Sequence, residues 1–101
     1  MRGFVLHRQA EAELRAAAQW YRSHSPAAAS GFVEAVERAL RAITENPEAW
    51  PRRNPREDVR SFVLERDPFP VVYRVTAEPT PIRVLAIAHA RRRPDYWARR
   101  R

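Results

Sequence analysis

The 101-residue sequence contains no cysteine and no lysine, and it has no long apolar run. Without cysteine, the chain can form neither a disulfide framework nor a thiolate metal site. A membrane-spanning helix needs about 18 consecutive apolar residues, and no segment reaches that length. Residues 1–10 also lack the apolar core of a secretory signal peptide, so we expect a cytoplasmic protein that does not act at a membrane.

The excess of positive charge is the most informative feature of the composition. All 19 basic residues are arginine, and they face 12 acidic residues, which gives a net charge of +7. A domain with this charge is attracted to nucleic acid, to an acidic protein or to an anionic surface. Arginine is also suited to bidentate contacts with phosphate or carboxylate groups.

Helical patterns fill the first half of the chain. Apolar side chains recur at helical spacing in residues 9–23 and again from Pro26 to about Glu45. Ser25 followed by Pro26 is typical of the start of a helix, and Pro47 ends the second pattern. The short break between the two predicts an antiparallel helical hairpin.

Alternating apolar residues follow a proline-rich loop in the second half. The predicted strands are residues 3–8, 59–66, 71–76 and 82–88. We therefore expect an α+β fold in which an N-terminal strand and the helical hairpin pack on an antiparallel sheet of about four strands. Residues 1–101 are interpreted as a single domain with a basic tail, residues 89–101.

Four segments carry a family resemblance. They are LHRQAEAELRAAAQWY, NPEAWP, VRSFVLERDPFPVVYRV and IRVLAIAHARRRPDYW. In this order, over nearly the whole chain, they resemble the ParE/RelE toxins of type II toxin–antitoxin systems. The resemblance implies a growth inhibitor that a cognate antitoxin protein neutralises. One branch of the family cleaves mRNA on the ribosome, and the other inhibits DNA gyrase.

Cleavage of RNA without a metal or cofactor would need an acid–base residue and a cation at the phosphate. His89, at the end of the last predicted strand, is the candidate acid–base residue, because imidazole titrates near neutrality. Arg60 and Arg74 interrupt apolar strands; each must reach solvent or sit in a paired cleft, and we expect them in a cleft. The resemblance adds Arg91, which matches a tail arginine of the nuclease branch.

A second set of residues is predicted to bind the target or nucleic acid: Arg52, Arg53, Arg92, Arg93, Tyr96 and Trp97. Basic and aromatic side chains together suit phosphate contacts and base stacking. The alternative is a solvated tail with Trp97 folded back on the core. Residues 99–101 are predicted to be disordered, and His7 and His24 to be surface residues. We expect one positively charged hollow to gather Arg60, Arg74 and His89.

Two departures from the nuclease branch favour the other branch. That branch relies on lysines and on an arginine in the central hairpin, whereas this chain has no lysine and places Pro70 there. The first hypothesis is therefore a toxin that acts on a protein such as DNA gyrase. The second is a ribosome-dependent mRNA endonuclease, and the third is a basic nucleic-acid-binding module without toxicity.

Overall fold

The computed structural model describes residues 3–54, 56–66, 69–77, 81–88, 93 and 95–100. Within these residues the chain forms two helices and five strands. In chain order they are β1 Phe4–Leu6, α1 Arg8–His24, α2 Pro26–Glu45, β2 Arg52–Asn54, β3 Val59–Phe62, β4 Val71–Val75 and β5 Ile82–Ile87. No helix in the described part of the chain is long and apolar enough to cross a membrane.

A single residue, Ser25, separates the two helices and caps both. Its backbone N–H donates to the carbonyl oxygen of Tyr21 at the end of α1. Its side-chain oxygen accepts from the N–H of Ala28, 3.2 Å away, in the first turn of α2. Pro26 occupies the first turn, where it costs no hydrogen bond. The predicted helical hairpin is confirmed. The two residues that mark the start of α2, Ser25 and Pro26, are adjacent in sequence.

The strands form one mixed sheet in the order β1-β5-β4-β3-β2. Neighbouring strands from β2 to β5 are antiparallel, but β1 runs parallel to β5, with Phe4 opposite Ile82. The α+β class is confirmed, while the sheet has five strands rather than about four and is not purely antiparallel. Since the hairpin and three strands separate β1 from β5 along the chain, no tight turn imposes an antiparallel pairing.

Strand β2 lies inside the segment predicted to be a loop. It pairs with β3 through Arg52 opposite Arg60, and a register shift follows before Asn54. A three-residue strand between Pro51 and Pro55 is too short to show an alternating pattern. Its pairing with β3, not its own sequence, makes it a strand.

Apolar side chains pack on both faces of the sheet. The helix-side core lies under α1 and α2, and its largest fully buried members are Tyr73, Phe32, Ile43, Ile82 and Ile87. The tail-side core lies on the opposite face and consists of Val59, Val72, Leu85, Ala86, Ala88 and Trp97. Alternate residues of a strand point to opposite faces, so the same strands supply both cores.

Tyr73 joins the end of α2 to the sheet. Its side chain is fully buried, and its hydroxyl donates to the carbonyl oxygen of Pro47, 2.6 Å away. Burial raises the pKa of Tyr73 to about 12; nearby Asp58 adds to this, and Arg60 opposes it. The phenol therefore stays protonated, and keeps its hydrogen bond, at any pH where the ordinary tyrosine is neutral.

The raised pKa predicts a loss of stability at alkaline pH. Below pH 10 the phenol is neutral in both folded and unfolded chains; as pH rises towards 12, only the unfolded chain ionises readily, so the free energy of unfolding falls. We expect a fall of about 1–3 kcal/mol across this range. The chain has no lysine or cysteine to titrate in the same range. Urea unfolding at pH 9 to 12 measures it.

Tyr73→Phe should flatten this decline and should lower stability at pH 8 by about 1–2 kcal/mol, because the Pro47 carbonyl loses its donor. The matched control is Tyr21→Phe, which removes a phenol from the partly buried ring stacked on Phe32. An equal flattening in the two variants would show that the effect does not belong to Tyr73.

Candidate functional site

Arg60 is a buried arginine whose hydrogen bonds are made within the protein. It is 8% exposed and lies on the face of the sheet that the helices cover. Its Nε donates to the carboxylate of Asp58 at 2.7 Å, and its Nη1 donates to the carbonyl oxygens of Glu48 and Trp50 at 3.0 and 2.8 Å. These bonds tie the loop after α2 to β3. The guanidinium is held by the protein's own backbone.

Asp58 is shared between two of the predicted site residues. Its backbone has a φ of 49°, in the left-handed region that aspartate tolerates better than most residues. The same carboxylate oxygen lies 2.7 Å from Nε of Arg60 and 3.3 Å from Nε of half-exposed Arg52. The two arginines are opposite each other on β2 and β3. Asp58 thus balances part of the positive charge at this edge.

Arg74 lies on the opposite face of the sheet from Arg60. Arg60 is paired with Tyr73, and the next residue along β4, Arg74, points the other way. Its Nη2 is 2.8 Å from the carboxylate of Glu57, while its buried Nε has no hydrogen-bond partner among the described residues. The expectation that one hollow gathers Arg60 and Arg74 is therefore wrong for this pair.

Arg74 has a like-charged neighbour on the tail-side face. It lies directly opposite Arg83 of β5, which is half-buried. Two adjacent guanidinium groups repel each other, and the ion pair between Arg74 and Glu57 offsets part of that repulsion.

Trp97 belongs to the core instead of presenting an open ring. It is 6% exposed and packs in the tail-side core. The guanidinium of Arg53 lies 5.8 Å from the centre of the ring, and Arg53 also pairs with Asp95 at 3.4 Å. Of the two interpretations of the tail, the folded-back one is found for Trp97. Its ring cannot stack on a base without leaving the core.

One carboxylate, that of Glu13 in α1, holds the tail in this position. Its Oε1 accepts from the backbone N–H of Ile87 at 3.0 Å. Its Oε2 accepts from the hydroxyl of Tyr96 at 2.8 Å and from Nη2 of Arg100 at 2.9 Å. Arg100 also donates through Nη1 to the carbonyl oxygen of Leu85 at 3.0 Å. We call this group of residues the Glu13 clasp.

The Glu13 clasp provides hydrogen-bond partners for the backbone of β5 beyond the point where β5 stops pairing with β1. Strand β1 ends at Leu6, which pairs with Val84, and the backbone groups bound by the clasp lie beyond that pair. The prediction of disorder for residues 99–101 is wrong for Arg100, whose guanidinium binds Glu13 and the carbonyl oxygen of Leu85, and Arg101 lies outside the described residues.

Sequence reasoning missed Glu13 as a functional position. Ala10 and Ala17, three residues before and four after it, are buried, so Glu13 falls on the buried stripe of α1. A carboxylate on such a stripe needs a partner, and this was the available signal.

The remaining predicted site residues belong to the tail, residues 89–101. Arg93 is exposed, and Tyr96 is partly buried. The candidate catalytic residues His89 and Arg91, and the candidate binding residue Arg92, lie outside the described residues. In the described part of the chain, no three histidine or acidic side chains are grouped so that they could hold a metal ion.

Removal of the charge of Glu13 is expected to loosen the tail. Glu13→Gln keeps an acceptor for one hydrogen bond but cannot pair with Arg100, so we expect a loss of about 1–3 kcal/mol in the free energy of unfolding. The control is Glu11→Gln, which disrupts only an exposed pair with Arg15 at 3.5 Å and should cost less than about 0.5 kcal/mol. Urea unfolding measures both; equal losses would contradict the role of the clasp.

Comparison with known proteins identifies the family. A family model described as the ParE toxin of the type II toxin–antitoxin system parDE matches residues 4–94. A search of curated proteins finds no match. The matched segment runs from β1 through the helical hairpin and the sheet to the beginning of the tail. The chain belongs to the ParE toxin family of type II toxin–antitoxin systems.

Proposed function

We propose that this toxin inhibits a protein target such as DNA gyrase, in the cytoplasm, and that it does not cleave mRNA. The observation that carries the proposal is that Arg60 is hydrogen-bonded to groups of the protein itself. A nuclease would need a cation free to approach the scissile phosphate. Arg60 instead directs its donors to Asp58 and to two backbone carbonyls, in a buried position.

Two further features support a protein target. Trp97, the aromatic candidate for base stacking, is packed in the tail-side core. Arg74, the other candidate cation on a strand, is on the face opposite Arg60 and is paired with Glu57. Because Arg60 and Arg74 lie on opposite faces, they do not converge on one phosphate that could be held in line for attack.

The exposed arginines of β2 are the proposed contacts with the target. Arg52 and Arg53 have side chains that are 50% and 45% exposed. Their charge suits an acidic protein surface, and such charges raise the rate of association and the specificity more than the affinity.

A groove beside α2 is the proposed contact with the cognate antitoxin. It has a volume of about 720 Å³, and the aromatic rings of Phe32 and Phe62 line it together with Leu64. Within the described residues, β2 pairs with β3 only as far as Arg60, so the outer side of residues 61–64 has no strand partner. An extended or helical segment fits such a place.

If the target is DNA gyrase, supercoiling should be inhibited while mRNA stays uncut. Expression of the chain without an antitoxin should arrest growth, and the purified protein should inhibit supercoiling by DNA gyrase while transcripts remain intact in primer extension. Relaxation by a type I topoisomerase is the control and should be unaffected.

Discrete cuts in ribosome-bound mRNA that disappear in His89→Ala would overturn the proposal and establish the alternative, a ribosome-dependent mRNA endonuclease. Absence of growth arrest by a chain that folds, as judged by circular dichroism, would contradict both mechanisms.

A further inference from the structure

An arginine-lined pocket lies where the tail meets the start of α1. It has a volume of about 490 Å³, and its walls include Arg8, Arg93, Arg99, Arg100, His7 and Tyr96. Two parts of the chain distant in sequence form it, residues 7–9 and, from the tail, residues 93, 96, 99 and 100. None of the residues that line it belongs to the groove beside α2 or to the partners of Arg60.

The Glu13 clasp is the reason that these cations converge. Arg100 and Tyr96 bind the Glu13 carboxylate, and this contact brings the tail against the first turns of α1. Of the pocket's four arginines, Arg100 is therefore neutralised. Within the described part of the chain, Arg8, Arg93 and Arg99 have no carboxylate at ion-pair distance, and all three are exposed. The pocket keeps a surplus of positive charge.

His7 adds a hydrogen-bond donor to the same pocket. Its Nδ1 accepts from the backbone N–H of Gln9 at 3.1 Å, which places the ring proton of the neutral imidazole on Nε2. Burial lowers the pKa of His7, and the charges of Arg100, Arg8 and Arg83 lower it further. Burial and, after it, these charges favour the neutral imidazole, which has an N–H to donate.

The walls of the pocket suit an acceptor of several hydrogen bonds that carries more than one negative charge. Guanidinium groups form bidentate, charge-assisted hydrogen bonds with phosphate oxygens. The adjacent first turn of α1 favours an anion as well, because helix N-termini carry partial positive charge. A lone peptide carboxylate would neutralise only one of the three unpaired arginines, whereas successive phosphates of a nucleic acid strand present one charge each.

We propose that this pocket binds the phosphate backbone of a nucleic acid strand, with Arg8, Arg93 and Arg99 as the phosphate contacts. DNA and RNA share the phosphodiester chemistry, and the test below separates them. Binding at this pocket requires no cleavage and is independent of which molecule the toxin inhibits.

Fluorescence anisotropy with labelled single-stranded DNA, duplex DNA and RNA of one sequence tests the proposal on the full chain. We expect binding at low salt that weakens as salt is raised. Arg8→Gln and Arg99→Gln, at exposed positions, should each weaken binding by about 3- to 10-fold and reduce the slope of log K against log salt by about one.

Arg22→Gln is the matched control. It removes the same charge from an exposed position in the last turn of α1, about 20 Å from Arg8 along the helix. We expect it to change the affinity by less than about twofold. Equal losses in Arg22→Gln and the pocket variants would overturn the proposal, because they would mean that net charge alone drives binding.

Competition experiments separate the possible ligands. Displacement of the labelled strand by unlabelled oligonucleotide, but not by an equal charge of polyglutamate, supports a nucleic acid pocket. Stronger displacement by polyglutamate would contradict the proposal and assign the pocket to an acidic protein. Displacement by inorganic phosphate at low millimolar concentration would contradict it in favour of a free-phosphate site. Since supercoiling inhibition is measured separately, failure here leaves the gyrase proposal standing.

Discussion

The carboxylate of Glu13 is the interaction on which the tail side of this structure depends. It lies 17% exposed between a helix, a strand and the tail, and it accepts hydrogen bonds from all three of Ile87, Tyr96 and Arg100. A carboxylate in such a place is costly unless its lone pairs are used, and here they are. With the tail fixed, Trp97 can fill the tail-side core. The same contact assembles the arginine-lined pocket.

The arginines on the two faces of the sheet have different partners. On the helix side, Nε and Nη1 of Arg60 bind Asp58 and two backbone carbonyl oxygens, and these contacts tie a loop to the sheet. On the tail side, Arg74 and Arg83 are adjacent, and only Arg74 has a carboxylate partner among the ion pairs of the described residues. A strand turns every second side chain over, so neighbours in sequence such as Tyr73 and Arg74 serve opposite surfaces.

Local signals made the helical hairpin and most strands predictable. Ser25 and Pro26 mark the helix start by their own chemistry, and the short apolar runs of β4 and β5 follow from burial on both faces of the sheet. What could not be read from the sequence depends on distant pairs. Strand β2 exists through its pairing with β3, and Arg100 is ordered by Glu13, which lies 87 positions earlier. The expected convergence of Arg60 and Arg74 was wrong for the same reason, since the spacing of residues within each strand does not tell which face of the assembled sheet an arginine occupies.

The family assignment and the arginine-lined pocket thus rest on different observations. The family model covers the elements that build the scaffold, whereas the candidate contacts depend on how the tail is attached to it. Amide hydrogen exchange of Ile87 tests that attachment most directly, in the native chain and in Glu13→Ala. The account predicts that the Ile87 amide is protected in the native chain and exchanges much faster in the variant, while the amides of β4 keep their protection. An Ile87 amide that exchanges rapidly in the native chain, or equally slowly in both, would contradict it.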